Sequence, residues 1–235
     1  MPIIAVVGSK KSGKTTAVAA LVRGLTKRGY KVATAKHIPE PDFTIDTKGK
    51  DTWRHTEAGA QVTLSVAPNE LALIKKVDTT RYGLAEIIKH YNNDADIIIL
   101  EGFRALVAQN PFIPKVITAK TMKEVNESTK HFKPIIAFAG AISATRKRLH
   151  RPCINALQQP EKLVEIVENK ITPMMKKEKR QRAAIKIEIN GNRVPLALFV
   201  QKFTRSVVLS MVSTLRDVSL EGNENVAITI TSPSA

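Results

Sequence analysis

Hydrophobic positions along the chain follow two rhythms. Short apolar runs predict strands at Ile3–Val7, Val32–Lys36, Val62–Val66, Leu71–Lys75, Ile97–Glu101, Lys115–Thr118 and Ile135–Phe138. Helical patterns separate them, at Lys14–Arg28, Trp53–Ala58, Leu84–Tyr91 and Glu161–Lys170. Alternation of this kind is the mark of an α/β sheet. The runs "IIAVV" and "DIIIL" are apolar on both faces. A strand of that type is covered on both sides, so the sheet is parallel and doubly wound. Gly29 sits where a C-terminal cap glycine belongs, and Lys27 and Arg28 suit the negative end of the first helix.

A second pattern begins near residue 185. "IKIEIN" alternates, with Ile185, Ile187 and Ile189 on one face and Lys186, Glu188 and Asn190 on the other. "VAITI" (Val226–Ile230) repeats the alternation. Between them Phe199, Phe203, Val207, Met211 and Leu215 recur every four residues, one stripe of a helix that Pro195 can precede. The expected organisation is a nucleotide-binding domain over 1–173, a basic linker over 174–184 and a small strand–helix–strand unit over 185–235. Two strands and one helix are marginal alone. The unit therefore needs a surface to dock on, in this chain or in a second copy, and the apolar stripe is the face for it.

Composition adds limits. The 235 residues are 43% hydrophobic and 25% charged, which suits an ordinary packed protein. No apolar run reaches the roughly 18 residues of a membrane span. The start "MPIIAVVG" is too short for a signal peptide before the first strand, so the expected compartment is the cytoplasm. The single Cys153 excludes an internal disulfide framework and a cysteine-rich zinc site. Net charge is +16, which favours anionic partners. "KKEKRQR" (Lys176–Arg182) and the zone from Lys120 to Arg151 hold much of it. Nucleic acid is disfavoured, because aromatic content is 5% and no stacking platform or recognition helix is visible.

The sharpest chemistry lies between the first strand and the first helix. "GSKKSGKT" fits the phosphate-loop pattern G-x-x-x-x-G-K-[ST]. Gly8 and Gly13 permit a backbone that turns several N–H groups toward one centre, and the helix start adds its positive dipole end. Lys14 reaches the β/γ-phosphates, and Thr15 offers a hydroxyl to Mg²⁺. Lys11 and Ser12 add backbone and charge. This is the phosphate site of a P-loop fold, and it asks for a nucleoside triphosphate with Mg²⁺. Glu101 ends the strand of "DIIILEGF" at its C-terminal tip, where ligands of an open α/β sheet gather. It is the expected metal-proximal carboxylate. Asp96 lies at the other end of that strand.

A long polar loop, "KHIPEPDFTIDTKGKDTWRHTEAGA" (Lys36–Ala60), leaves the tip of the second strand. It holds His37, Asp42, Asp46, Lys48, Lys50, Asp51, Arg54 and His55, and such loops are often functional. It can touch the metal, the phosphates or another ligand. Zinc on His37 with Asp42 or His55 is a rival reading, but the spacing matches no compact metal motif.

Together, "GSKKSGKTT", "AKH" followed by "DFTIDTKGKDTWRHTEAGA", and "DIIILEGF" resemble the molybdopterin-guanine dinucleotide biosynthesis protein B family. The likeness covers about residues 1–173 and is firmest over 3–104. The C-terminal unit also looks like an extension of archaeal-type members. The resemblance implies GTP as the bound nucleotide, slow hydrolysis, a homodimer, and service to the guanylyltransferase that joins GMP to molybdopterin. On that basis Gly13, Lys14, Thr15 and Thr16 hold phosphates, with Lys14 and Glu101 the residues for any catalysis. Glu101, with Asp46, organises Mg²⁺. Lys36, His37, Lys50 and Asp51 lie near the nucleotide or the molybdopterin phosphate. Two features depart from a standard GTPase. The guanine-reading N-K-x-D tetrapeptide is absent, and "AGAISATRKR" offers Ser143 and Thr145 but no aspartate. The position of the signature lysine of dimeric P-loop ATPases holds Ser9, beside Lys10.

Fast hydrolysis needs a water-positioning residue and an arginine finger. Arg104 is a candidate finger, and Gln61 and Gln109 are glutamine candidates by exclusion only. With GTP favoured over ATP by the family resemblance and not by residues, the expectation is at most a slow Mg²⁺-dependent GTPase. The alternative is a small-molecule kinase or ATP-dependent ligase with "ATRKRLHR" as a lid. A third reading, nucleic-acid binding through Lys176–Arg182, predicts steep salt dependence.

Overall fold

The structure is a computed structural model that describes residues 1–91, 95–145, 149–181, 187–189, 192–194 and 196–215. In chain order the elements are β1 (Ile3–Gly8), α1 (Lys14–Lys27), β2 (Val32–Lys36), α2 (Asp51–Glu57), β3 (Val62–Ala67), β4 (Glu70–Lys75), α3 (Leu84–Ile88) and β5 (Ile97–Glu101). There follow α4 (Arg104–Val107), β6 (Lys115–Thr118), α5 (Met122–His131), β7 (Ile135–Ala139), a 3₁₀ turn (Ala141–Ala144), β8 (Cys153–Ile154) and α6 (Pro160–Gln181). Last come β9 (Ile187–Ile189), β10 (Asn192–Val194) and α7 (Leu198–Val212). Residues 1–175 form one compact unit and 176–235 another.

Six strands make one sheet in the order β2-β5-β1-β6-β7-β8, and every pairing in it is parallel. Successive strand residues face opposite sides, so the sheet feeds two cores. Ile4, Val6, Ile97, Ile99 and Val116 pack on one side with Leu21 and Leu25 of α1 and Leu163, Val167 and Ile171 of α6. Ala5, Val7, Ile98, Leu100, Ile117 and Phe138 pack on the other with Val107 of α4 and Val125 of α5. This is the doubly wound α/β arrangement the apolar runs require. Helix α1 lies close on α6, where Gly24 faces Val164. Arg28 donates to Glu161 and Glu168, and the Tyr30 hydroxyl donates to Glu168, pinning the far end of α1 to α6.

Three expectations change. The runs at 62–66 and 71–75 do not join the main sheet. They form an antiparallel hairpin closed by Pro68 and Asn69, since Ala67 pairs with Glu70. A two-residue connection cannot make a parallel crossover. The basic zone after Lys120 contains helix α5, whose N-cap Thr121 accepts from the Glu124 N–H. Helix α6 runs on through Gln181, so the stretch read as the start of a linker is helix, with Pro173 inside it.

In the second unit the alternating segment contributes β9, which pairs antiparallel with β10. Helix α7 bears Phe199, Phe203, Val207 and Met211 of the apolar stripe, Leu215 falls just past its end, and all five are exposed. The Phe199 and Phe203 rings stack with centroids 6.2 Å apart. The run Val226–Ile230 lies outside the described residues. No helix among the described residues is long and apolar enough to cross a membrane.

Candidate functional site

The phosphate loop leaves β1 beside the tip of β6. A Cβ on Gly8 would stand 2.2 Å from both the carbonyl and the hydroxyl oxygen of Thr118, so only glycine fits there. Ser12 is buried, its hydroxyl 2.8 Å from the Ser9 carbonyl and 2.7 Å from the Thr118 hydroxyl. Lys11 and Gly13 take left-handed backbone, φ 59° and 97°. The lysine accepts a strained conformation that favours glycine, and such outliers gather at functional sites. The Lys14 ammonium folds over this ring and donates to the Ser9 carbonyl at 2.7 Å and the Gly8 carbonyl at 3.3 Å. Thr15 and Thr16 stand exposed on the first turn of α1.

Glu101 is 7% exposed at the end of β5. Its Oε1 accepts from the Thr15 hydroxyl at 2.7 Å, and the Lys36 ammonium lies 3.7 Å from the same oxygen. The chain then bends through two left-handed residues, Gly102 (φ 89°) and Phe103 (φ 52°). The Gly102 N–H is held by the Val6 carbonyl, and the His37 N–H by the Glu101 carbonyl, at 2.9 Å each. The rings of His37 and Phe103 meet at 5.4 Å. The tips of β1, β2 and β5 are thus sewn together around one hydroxyl and one carboxylate. A hydroxyl and a carboxylate are the hard oxygen donors that Mg²⁺ takes, so these residues fit that ion. Burial lowers the Lys14 pKa, Glu101 acts against that, and Arg104, Lys36 and Lys120 add to it. Three further cations therefore share the field of the loop lysine.

Two residues that sequence reasoning missed complete the loop's outer wall. Glu124 accepts from the Ser9 hydroxyl at 2.9 Å and from the Lys120 N–H at 2.6 Å. The Lys120 ammonium reaches the Lys10 carbonyl at 3.4 Å. The T-x-x-E pattern of Thr121 and Glu124 could have shown a helix start there, though not its contact with the loop.

Other candidates stand apart. Asp46 Oδ1 accepts from the Thr47 N–H and the Thr52 hydroxyl, within its own loop and α2. Among the described residues no contact joins Asp46 to Glu101, and no three His, Cys, Asp or Glu side chains cluster as a metal site. Asp46 Oδ2 is shielded from solvent without a hydrogen-bond partner. Lys50 and Asp51 are exposed at the start of α2, with Asp51 4.0 Å from Arg54. Arg104 lies 5.1 Å over the Phe132 ring. Gln109 donates to the His131 carbonyl, and Gln61 sits exposed at the foot of β3.

A loop of this geometry, between the central strand of a parallel sheet and a helix, defines a P-loop nucleotide-binding protein. Residues 3–141 match the family model for molybdopterin guanine dinucleotide synthesis protein B, more than half of the chain, and the chain belongs to that family. A protein of Methanocaldococcus jannaschii named as a molybdopterin-guanine dinucleotide biosynthesis adapter is 28% identical over 239 residues, 93% of each chain. It therefore spans the C-terminal unit as well. The adapter protein of Haemophilus influenzae is 29% identical over 133 residues, 54% of this chain and 71% of that one. A crystal structure of molybdopterin-guanine biosynthesis protein B aligns with 72% of this chain and 98% of its own, at 25% identity and a TM-score of 0.53. The Bacillus subtilis MobB structure shares the fold, with a TM-score of 0.57.

Proposed function

We propose that this chain is a GTP-binding adapter in the assembly of molybdopterin guanine dinucleotide, working in the cytoplasm beside the guanylyltransferase that joins GMP to molybdopterin. The convergence of Lys14, Thr15 and Glu101 in a glycine-formed loop is the observation that carries it, inside the stretch that matches the family. Its nucleotide is held more than it is spent. Gln109 is tied to the His131 carbonyl and Arg104 rests on the Phe132 ring, so neither is posed for attack on a phosphate and hydrolysis is slow on this reading. Lys36, Lys120 and Arg104 supply positive field for a second anionic ligand such as molybdopterin.

The homodimer has support in the β3–β4 hairpin. Val62, Leu64, Val66, Leu71 and Leu73 share one face of it, and that face is exposed. Exposed apolar strands of this kind mark interaction surfaces.

The test is calorimetric titration of GTP and then ATP, each with Mg²⁺, followed by molybdopterin or the guanylyltransferase. A GTP preference with partner binding is expected. An ATP preference without partner binding would turn the reading to a kinase or ligase whose acceptor must be found.

A further inference from the structure

The segment between β7 and β8 is pressed against the phosphate loop and then opens into a cavity. Gly140 takes φ +91°, and a Cβ there would stand 2.3 Å from the Ser12 carbonyl oxygen. The 3₁₀ turn leads outward from it, with the Ser143 hydroxyl donating to the Gly140 carbonyl at 2.7 Å. Ser143 of the turn and, beyond it, Leu149, His150, Arg151 and Cys153 are among the residues lining a cavity of about 430 Å³. That volume suits a small ligand. Strand β7 is two places from β1 in the sheet, about 10 Å sideways from the phosphate loop's strand. A nucleotide anchored by its phosphates must lay its sugar and base along this edge, toward β5 or toward β7. Glu101, Lys36 and His37 fill the β5 side. The β7 side holds the cavity.

Its chemistry is one-sided. None of the described residues that line it is an aspartate or glutamate, the whole stretch from Ser128 to Pro160 has none in its sequence, and Arg151 brings a guanidinium to the wall. A carboxylate is the usual acceptor for the N1–H and 2-amino donors of guanine, and this segment supplies none. Arg151 is an obligate donor, and its planar fork matches the O6 and N7 acceptor pair of guanine. Adenine puts an amino donor at that corner. His150 stands edge-on to the fully buried Phe138 ring, centroids 5.3 Å apart, which braces the wall.

We infer that the cavity between β7 and β8 takes the nucleotide's base and reads guanine on its O6/N7 edge, with Arg151 as the specificity-determining residue. This rests on the GTP reading above and deepens it. The reading inverts the familiar one, in which a carboxylate grips the N1/N2 edge, so base analogues separate the two.

The experiment titrates the full chain, with Mg²⁺, against GTP, ITP, 7-deaza-GTP, ATP and inorganic tripolyphosphate. ITP lacks only the 2-amino group and is expected to bind within about threefold of GTP. 7-Deaza-GTP lacks N7 and is expected to bind at least tenfold more weakly. Arg151→Ala should cut GTP affinity about 10- to 100-fold and bring it to the level of ATP. Arg151→Lys, which keeps the charge without the fork, should recover only part. Arg151 is exposed, so both variants are expected to melt as the wild type does. A large loss with ITP beside normal 7-deaza-GTP binding would overturn the inference, as would an unchanged GTP-to-ATP ratio in Arg151→Ala. Equal wild-type binding of GTP and ATP, with tripolyphosphate still bound, would refute base reading while leaving the phosphate loop standing. If no triphosphate binds, tripolyphosphate included, the phosphate-loop reading fails and this inference falls with it.

Discussion

Strands β1 and β5 and strands β3 and β4 are similarly apolar and end in opposite surroundings. Ile4 to Val7 and Ile97 to Leu100 are wholly buried, each alternate side chain delivered to one of two cores. In the hairpin Thr63 is buried, while Val66 and Leu71, directly opposite each other, are 75% and 66% exposed. The difference is in the connections. Parallel strands need crossovers, and the crossover helices cover both faces. A two-residue turn brings no helix with it, so one hairpin face must find its cover elsewhere. The first region makes its site within one chain. The second makes sense as half of a surface.

The largest effects should come from the first region. Lys14→Ala is expected to weaken triphosphate binding by a hundredfold or more while leaving the melting temperature nearly unchanged, because Lys14 bonds only to loop carbonyls here. Calorimetry with a parallel thermal melt checks both halves. Retained affinity would remove the phosphate-loop assignment. Next comes Gly8→Ala. Its methyl group would meet backbone at 2.2 Å, so destabilisation of about 2–4 kcal/mol is expected in urea unfolding. A stability within 0.5 kcal/mol of wild type, on the scale of ordinary surface changes, would show that β1 and β6 can part there.

Much of this was legible because it is local. The phosphate loop, Glu101 at a strand tip and the bounds of β2, β5 and β6 follow from motif spacing and apolar runs. Glu124 was not legible, since its contact with Ser9 joins residues 115 apart in sequence. Asp46 was paired with Glu101 on family resemblance alone, and its contacts stay in its own loop. The hairpin was legible as two strands but not as a separate sheet, although the two-residue gap at Pro68–Asn69 held the answer. Short helices such as α4 have too few residues to show a period.

The hairpin supplies the sharper contrast. Fully burying a large aliphatic side chain gains about 1.5–3 kcal/mol. In the proposed dimer, five from each protomer would have only their 49–75% exposed share left to bury, which still brings the gain to the scale of the roughly 4–15 kcal/mol that association costs. Leu64→Lys with Leu73→Glu places opposite charges across from each other, so the hairpin itself keeps a favourable pair. The double variant is expected to sediment as a monomer with nucleotide affinity unchanged within about twofold. A wild type that already sediments as a monomer, or a variant that stays dimeric, would take the interface away from this face.

Lys115 runs against the comparison, a lysine with 0% exposure in the well-covered sheet. Its ammonium donates to the carbonyls of Asn110 and Lys133, and burial pushes its pKa down from 10.5 to about 8. The consequence for stability has a definite sign. Between pH 8 and 10.5 the unfolded chain keeps a proton that the folded chain has released, so stability rises with pH across that window. Below pH 8 both states are protonated and the cost of burying the charge is present in full. Urea unfolding from pH 7.5 to 9.5 should therefore show a rising midpoint in the wild type, and a flatter profile in Lys115→Met. Parallel profiles would mean that Lys115 titrates as an exposed lysine does, and that its two carbonyl bonds leave it in contact with water. This is the smallest of the expected effects, and it tests whether the covered half of the molecule is as dry as its packing implies.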